Sequence, residues 1–499
     1  MKVGLKIPQA TNVSLPPTHD LLVSGGDPRI EIDPTTGANR YLCPAAPCAV
    51  AAFGSSTASI ISPEGFDAAA RLRQRLESAL ETESAGAVYA RELSRLRTDL
   101  VGLCGLDGLP GLQTLFAASG TDIHLLAAQF VGGLGREPTL GVMVEATETG
   151  SGVGLALSGR HFATATAQGG AVLQGELAGG RAVDGIVTLS ARTEDGSAVT
   201  AGALREALER AVVDLAPRAR LLITVADVTK TGLISLDLPS VFELRRRFPE
   251  RVEILIDACQ FRLSPGSLRT YLDQGAMVAV TGSKFLCGPA FSGALFVPRG
   301  LAERFAGQSP SLALRAYAHR ADLPEGWAAA ADLTEGANFG LLLRWAAALE
   351  ELRAFSAIAE WRVAQVLRAF AATVNARIAE DPGLEPVPVP QLDRRALGEG
   401  RWDSLQTIFP FLLRRPGGAG LLGPDETQRL YRTLAAQGIQ VGQPVGCGLR
   451  DGHPLSALRF CASARLVVEA SRPGGLKAVL GRIAPTFGAV TEAARRIAP

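Results

Sequence analysis

Between residues 139 and 297 the sequence alternates short apolar runs with longer stretches of helical spacing, and this alternation restricts the possible folds more than any other feature. The apolar runs predict strands at 139–146, 184–190, 220–226, 252–256, 276–280 and 292–297. Residues at helical spacing fill several of the gaps, notably 200–214 and 238–248. Apolar strands joined by crossover helices predict an α/β fold, in which helices cover both faces of a parallel or mixed sheet.

The flanks of this region predict an arm and a second domain. The first 60 residues are rich in Pro, Gly and Thr and have no sustained period, so we assign residues 1–63 to an N-terminal arm. A large domain then covers 64–345 and begins with two predicted helices, at 64–83 and 87–101. A smaller α+β domain covers 346–499, because a long helix that starts in 334–355 and can continue past 365 is followed by strand, helix and strand signals at 405–413, 425–437 and 456–467.

Composition excludes several classes of function. The formal net charge is +1 and aromatic residues make up 6%, which argues against a nucleic-acid partner. Seven cysteines without a C-x-x-C pair, and five scattered histidines, predict no metal site and reduced thiols in a cytoplasmic protein. The start of the chain lacks the apolar segment of a signal peptide. The apolar stretch 275–298 contains Lys284 and Pro289, so we predict no membrane partner.

A lysine and a carboxylate follow neighbouring predicted strands. Lys284 lies in the segment TGSKFLCGP (281–289), and Asp257 ends the run before it. Ligands of an open parallel sheet bind beyond the carboxyl ends of its strands, so both side chains can reach one crevice. They could form a plain buried ion pair. Alternatively, the lysine could form a Schiff base with pyridoxal phosphate, while the aspartate keeps the pyridine nitrogen protonated.

The cofactor hypothesis also requires a phosphate site. The segment ASGTD (118–122) opens the predicted helix 122–134, with Thr121 or Asp122 near its N-cap. On its own this is an ordinary helix start. In the order Ser119-Gly120-Thr121, Asp257 and Lys284, a phosphate-binding turn is the better interpretation, since a helix N-terminus attracts anions.

These segments together resemble the fold-type I enzymes dependent on pyridoxal phosphate, specifically the branch of class V aminotransferases and cysteine desulfurases. The resemblance implies a mostly parallel sheet of the seven-stranded type, with Ser119, Gly120 and Thr121 at the phosphate. In DACQ (257–260), Asp257 pairs with the ring nitrogen and Gln260 with the phenolic oxygen. Lys284 becomes the Schiff-base lysine and Thr281 or Ser283 touches the phosphate. Asp227 and Thr229, in ADVTKTG (226–232), become candidates near the ring.

One segment departs from the pattern of that branch. A histidine or aromatic ring usually stacks on the cofactor, but TETGSGVG (147–154) has no ring. Glu148 or Thr149 would have to cover the cofactor face, or a ring must come from elsewhere. His124 and His161 are the nearest histidines in sequence.

The resemblance also implies a substrate site, a dimer and a possible thiol. Arg459, in SALRF (456–460), matches the arginine that binds a substrate carboxylate, although it could be a surface ion-pair residue. Thr334 and Asn338, in TEGANFG (334–340), match a loop that reaches the neighbouring subunit, which predicts a homodimer. Cys447, in a glycine-rich segment expected to be a loop, could be a persulfide-forming thiol, but a chance cysteine is favoured.

The predicted function is therefore that of a pyridoxal-phosphate-dependent enzyme acting on an amino acid, with transamination through an external aldimine as the preferred reaction. Elimination or cysteine desulfuration is the alternative, because the same residues support them. A non-catalytic cofactor-binding protein is a weaker alternative, since residues 1–60 show no DNA-binding pattern. The last alternative is a protein of this fold that binds no cofactor and in which Lys284 and Asp257 form a structural pair.

Overall fold

The computed structural model describes residues 14–309, 311–398, 400–416 and 420–497. Its strands β1 to β12 are Ala51–Phe53, Gln113–Ala117, Thr139–Val144, Gly185–Leu189, Arg220–Ala226, Val252–Ala258, Met277–Thr281, Gly293–Val297, Leu384–Pro386, Ile408–Leu413, Ile439–Arg450 and His453–Cys461.

The α-helices of the described residues, α1 to α17, are Thr18–Leu22, Pro63–Leu80, Ala85–Leu103, Gly120–Gly132, Val153–Leu157, Ala201–Leu215, Leu238–Arg247, Pro265–Asp273, Arg299–Ala306, Leu312–Tyr317, Ala328–Ala331, Phe339–Ser356, Glu360–Glu380, Pro424–Ala436, Ala464–Ser471, Gly475–Gly481 and Ile483–Ile497. Short 3₁₀ helices occur at Arg320–Asp322, Arg395–Leu397 and Trp402–Ser404. Within the described ranges, no helix combines the length and apolar character needed to cross a bilayer.

The larger sheet has seven strands in the order β2-β8-β7-β6-β5-β3-β4. The central pairs β7–β6, β6–β5, β5–β3 and β3–β4 are parallel, and β8 runs antiparallel to both of its neighbours. Strands β5 and β6 are buried along their whole length, as expected for a sheet covered on both faces. The predicted α/β architecture with a mostly parallel seven-stranded sheet is confirmed.

The second sheet has five strands in the order β1-β11-β12-β10-β9. Four of them come from the C-terminal part of the chain, but β1 comes from the N-terminal arm and pairs in parallel with β11, with Ala51 opposite Ile439. The arm is therefore built into the C-terminal sheet.

Three local predictions were wrong. Ser119, rather than Thr121 or Asp122, is the N-cap of α4, because its hydroxyl accepts hydrogen bonds from the backbone amides of Thr121 and Asp122. The long helix begins only at Phe339, capped by Asn338, and ends at Ser356 before a separate helix α13. The glycine-rich segment around Cys447 is not a loop but part of strand β11, which pairs antiparallel with β12 in a hairpin.

Helix α12 packs directly on the loop that carries Lys284. A Cβ atom on Gly282 would lie 2.4 Å from the Ala348 side chain, and one on Gly288 would lie 2.6 Å from it. Trp345, on the same helix, is fully buried and donates a hydrogen bond to the Gly293 carbonyl at 3.2 Å. The glycines of TGSKFLCGP are therefore explained by a close helix contact, which holds the lysine loop against the core.

Candidate active site

A cavity of about 200 Å³ lies at the carboxyl ends of the central parallel strands. The ends of β5, β6 and β7, the N-terminal turn of α4 and the loop after β3 form its floor. The arm and the five-stranded sheet close it from the other side, through residues that include Ser56, Thr57 and Gln443.

Most of the site residues predicted from the sequence line this cavity. They are Ser119, Gly120, Thr121, Glu148, Thr149, Asp257, Gln260, Thr281, Ser283, Lys284 and Arg459. Segments separated by more than three hundred residues in sequence therefore meet at one place, as the phosphate, ring and carboxylate assignments require.

The N-terminal turn of α4 forms one end of the cavity. The Ser119 hydroxyl accepts hydrogen bonds from the Thr121 and Asp122 amides at 3.2 and 3.3 Å, and donates one to the Asp122 carboxylate. A Cβ on Gly120 would lie 2.7 Å from the Cys259 sulfur, so the turn packs against the end of β6. Burial, with Asp27 nearby, raises the pKa of Asp122 to about 7, so this carboxyl repels an anion only weakly near neutral pH.

Arg29 brings a positive charge to the same turn. Its guanidinium lies 3.4 Å from the Thr121 hydroxyl and 3.5 Å from the Ser119 hydroxyl. Asp27 holds it by three hydrogen bonds, from Nε at 2.9 and 3.1 Å and from Nη2 at 2.6 Å, and the rings of Phe162 and Phe291 cover its faces. A helix N-terminus and a guanidinium together form a suitable site for a phosphate.

Lys284 projects from the loop after β7 and is half-buried. On the same loop, the Thr281 hydroxyl donates to the Cys259 carbonyl at 2.7 Å, and the Ser283 hydroxyl donates to Thr281 at 3.2 Å. The carbonyl of Lys284 accepts a hydrogen bond from Ser59 of the arm at 3.1 Å. The backbone of the lysine is thus anchored on both sides while its amine faces the cavity.

Asp257 is paired with a buried histidine. The Nε2 atom of His124 lies 3.3 Å from the Asp257 carboxylate, not aligned as a hydrogen bond, and Nδ1 lies 2.7 Å from the Gly120 carbonyl. Burial alone would raise the pKa of Asp257, but His124 and then Lys284 outweigh it and hold the pKa well below its usual range. Burial would lower the pKa of His124, but the Asp257 charge outweighs it and raises that pKa. The carboxylate is therefore kept ionised at the floor of the cavity.

The polar lining of the cavity fits the cofactor. Thr149 is 4% exposed, and its hydroxyl faces the cavity without a hydrogen-bond partner among the described residues. Gln260 donates to the Ser56 carbonyl at 3.0 Å, which leaves its second amide hydrogen free to reach a ligand. An orphaned hydroxyl, an ionised carboxylate, a lysine amine and an anion site are the groups that pyridoxal phosphate would use.

Glu148 lines the cavity, but its carboxylate is already bound by two neighbouring side chains. Its carboxylate accepts from Arg192 at 2.6 Å and from the Thr231 hydroxyl at 2.7 Å. The rings that line the cavity within the described residues are Tyr41, His124 and Phe291, whereas His161 lies outside it and contacts Tyr317. No ring comes from the segment 147–154, as the sequence indicated.

Four candidates lie outside the cavity. Asp227 is fully buried behind it, where its carboxylate accepts from Tyr271 at 2.5 Å and pairs with Arg394, and Thr229 closes a local turn with Leu233. Thr334 is exposed, and Asn338 caps α12 and donates to the Gly25 carbonyl at 2.8 Å. Their predicted link to a neighbouring subunit stays a prediction.

Arg459 lies on β12, the central strand of the five-stranded sheet, and is 3% exposed. Its guanidinium donates to neutral oxygens, namely the Gln443 carbonyl at 2.6 Å, the Thr57 hydroxyl at 2.9 Å and the Lys230 carbonyl at 3.2 Å. It forms no ion pair with a carboxylate of the described residues, so it is not a surface ion-pair residue. A buried arginine without a counter-ion is suited to bind a ligand carboxylate.

Cys447 is 3% exposed in strand β11. Burial, more than any neighbouring charge, raises the pKa of this thiol to about 11. A thiol that is protonated and held in a strand cannot reach across the cavity as a thiolate.

The lining residues that sequence reasoning missed include Arg29, Tyr41 and Lys230. Arg29 and Tyr41 lie in the aperiodic arm, where no pattern indicates position. Lys230 lies within the motif ADVTKTG, and its positive charge was the only available signal.

Comparisons with known proteins bear on the fold. No protein-family model and no curated protein matches the chain. Among solved structures, it is similar to a C-DES mutant with glycine covalently linked to the PLP cofactor, at a TM-score of 0.53 and 15% identity, covering 87% of this chain and 96% of that one. It is also similar to a NifS-like protein, at a TM-score of 0.54 and 12% identity, covering 88% of this chain and 99% of that one. A third similar structure is the apo cysteine desulfurase of Thermococcus onnurineus NA1, at a TM-score of 0.53 and 13% identity, covering 88% of this chain and 95% of that one. These likenesses confirm the predicted fold-type I architecture.

Proposed function

We propose that this chain is a pyridoxal-phosphate-dependent enzyme that acts on an amino acid, and that it catalyses transamination. The observation that carries the proposal is the convergence of the Lys284 amine, the ionised Asp257 carboxylate and the α4 N-terminus on one cavity. The structural likeness to a PLP-linked protein supports the choice of cofactor.

Each residue has a place in this chemistry. Ser119, Thr121 and the amides of α4 hold the phosphate, with Arg29 as the counter-charge. Asp257 would hold the pyridine nitrogen in its protonated form, and His124 keeps the carboxylate ionised. Pyridoxal phosphate, when bound, supplies an aldehyde for the substrate amine and a ring that takes up an electron pair.

Lys284 and Arg459 act on the substrate. Arg459 binds the α-carboxylate, which orients the α-carbon towards the lysine. Lys284 would be the general base that removes the proton from the α-carbon of the substrate and holds it for return, which is the proton movement on which transamination depends.

Transamination is preferred over sulfur transfer because of Cys447. A persulfide-forming cysteine has to be an exposed thiolate on a mobile segment, whereas Cys447 is buried in β11 with a raised pKa. Release of a keto acid together with conversion of the cofactor to its amine form would support transamination. Release of ammonia or sulfide at comparable rates would contradict it and support elimination.

Absorbance and chemical trapping test the cofactor. Protein mixed with pyridoxal phosphate should gain a band in the near-ultraviolet to visible range, and borohydride followed by peptide mapping should find the cofactor on Lys284. Lys284→Ala should lose the trapped product but keep its fold, since the side chain of Lys284 is half-buried and forms no ion pair with another described residue. The exposed Lys477→Ala is the matched control. Trapping on Lys230 instead would overturn the assignment.

The proposal includes a homodimer. Thr334 is exposed on the loop before α12, which is where a neighbouring chain could bring its phosphate site. Sedimentation of the purified protein measures the assembly state. If the protein is a dimer, Thr334→Ala should weaken cofactor binding, and a fully active monomer would exclude this role.

A further inference from the structure

The cavity contains more positive charge than the proposed chemistry uses. Lys230, Lys284 and Arg459 all line it. The lining carboxylates are Glu148 and Asp257, and these are paired with Arg192 and His124. No carboxylate of the described residues is therefore left to neutralise the three cations. In the proposed function, Lys284 acts where the substrate amine binds, and Arg459 binds the α-carboxylate of the substrate. Lys230 therefore remains without a role.

The backbone of Lys230 is held firmly at the cavity wall. Its amide donates to the Glu148 carbonyl at 2.9 Å, and its carbonyl accepts from the Arg459 guanidinium at 3.2 Å. Lys230 is therefore fixed beside the residue assigned to the substrate's α-carboxylate. Its position does not depend on a flexible loop.

The ammonium group of Lys230 has unused hydrogen-bonding capacity. Its Nζ donates to the Ala146 carbonyl at 3.1 Å, which uses one of three donors. Burial, and then repulsion from Arg459 and Lys284, lowers the pKa of Lys230 to about 8, which Glu148 only partly offsets. The ammonium group is still mainly protonated at neutral pH, and nearby carboxylates do not fully neutralise its charge.

A purely structural lysine is a poorer explanation. A Gln side chain could donate to the Ala146 carbonyl without placing a third cation in the cavity. Glu148, whose charge partly stabilises the ammonium of Lys230, is already paired with Arg192 at 2.6 Å and with Thr231. An anion from outside the chain would bind without breaking any of these pairs.

We infer that Lys230 binds an anionic group at the end of the substrate side chain, so that the substrate is an amino acid with an acidic side chain. The inference rests on the proposed function, because it takes the α-carboxylate to be at Arg459 and the amine at Lys284. The anionic group is a carboxylate or a phosphoryl group, since an ammonium binds either as a point charge.

The test compares matched pairs of ligands on the cofactor-loaded protein. Aspartate is paired with asparagine, glutamate with glutamine and O-phosphoserine with serine. Dissociation constants are measured by calorimetry and by the change in cofactor absorbance. We expect one acid to bind at least about tenfold tighter than its neutral partner, and the pair that shows this identifies the anionic group.

Variants assign the preference to one side chain. Lys230→Met should abolish the preference for the acid and change binding of the neutral partner less than about threefold, since only the charged contact is removed. Lys477→Met, at an exposed lysine far along the chain, should retain the preference. A conservative Lys230→Arg should restore part of it.

Failure of the inference differs from failure of the proposed function. If the cofactor band forms but no acid binds better than its partner, or Lys230→Met keeps the preference, the inference is wrong and the proposed function stands. If no cofactor is bound, or borohydride traps it on Lys230, the proposed function is wrong and the inference falls with it.

Discussion

Replacing His124 by asparagine tests how the Asp257 carboxylate is kept ionised. Asparagine places its amide nitrogen where Nδ1 of His124 stands, so the contact with the Gly120 carbonyl can persist. The positive charge 3.3 Å from the Asp257 carboxylate is lost. The variant therefore separates the electrostatic role of the histidine from its role in holding the α4 turn.

The magnitude follows from the distance. Two unit charges 3.3 Å apart interact by about 5 kcal/mol at an effective dielectric constant of about 20. The loss is smaller than this, because the Cys259 amide still donates to Asp257 at 3.1 Å and the carboxylate is 9% exposed to solvent. We therefore expect about half of this interaction or less to be lost, and turnover to fall about 10- to 100-fold, which corresponds to about 1.4–2.7 kcal/mol.

The assay is exchange of the substrate α-proton with deuterium, followed by NMR on the cofactor-loaded protein, because this step needs Asp257 but no later chemistry. Losing His124 raises the pKa of Asp257, so the acid limb of the exchange profile should move to higher pH in His124→Asn. In the wild type, the rate should fall as pH rises through the raised pKa of His124.

His124→Gln is the matched variant. Glutamine can place a neutral donor near Asp257 but gives up the bond to Gly120, so its exchange rate should lie between those of the wild type and His124→Asn. Exchange at the wild-type rate in His124→Asn, with an unmoved acid limb, would refute the reasoning.

Three further predictions concern single side chains. Asp257→Asn should keep the cofactor but reduce turnover more than cofactor affinity, measured by absorbance titration and initial rates; near-normal turnover would show that Asp257 does not serve the ring. Arg29→Gln should weaken cofactor binding about tenfold or more, with the exposed Arg472→Gln as control, because the guanidinium lies 3.4 Å from the Thr121 hydroxyl of the phosphate turn. Cys447→Ser should keep most activity, and loss of sulfide release from cysteine in this variant would restore the desulfurase alternative.

The strands of the large sheet could be predicted from the sequence because their apolar runs are long and separated by helical spacing. Strand β5 was placed at its observed bounds, and β6 and β7 to within two residues. Knowing where parallel strands end was enough to bring Asp257 and Lys284 together, since the carboxyl ends of such strands share one edge.

The orientation of side chains at strand ends could not be predicted in the same way. Asp227 follows β5 as Asp257 ends β6, and both stand in polar motifs. The difference comes from partners far along the chain, since Tyr271 and Arg394 bind the Asp227 carboxylate away from the cavity. A single sequence contains no local signal for such a contact.

The arm explains why the cavity is more than the edge of a sheet. Arg29, Tyr41 and the stretch Ser56–Ala58 come from a segment without periodicity, yet they supply the counter-charge and one wall. The arm is held at both ends, by β1 in the five-stranded sheet and by Arg344, which donates to the carbonyls of Leu22 and Gly25 at 3.3 and 3.1 Å. Because Arg344 also donates to the Phe291 carbonyl at 2.6 Å, one buried guanidinium ties the arm to the segment that follows Lys284. The phosphate and lysine ends of the site are therefore positioned against each other through the arm, and this coupling makes the arm a part of the site rather than a linker.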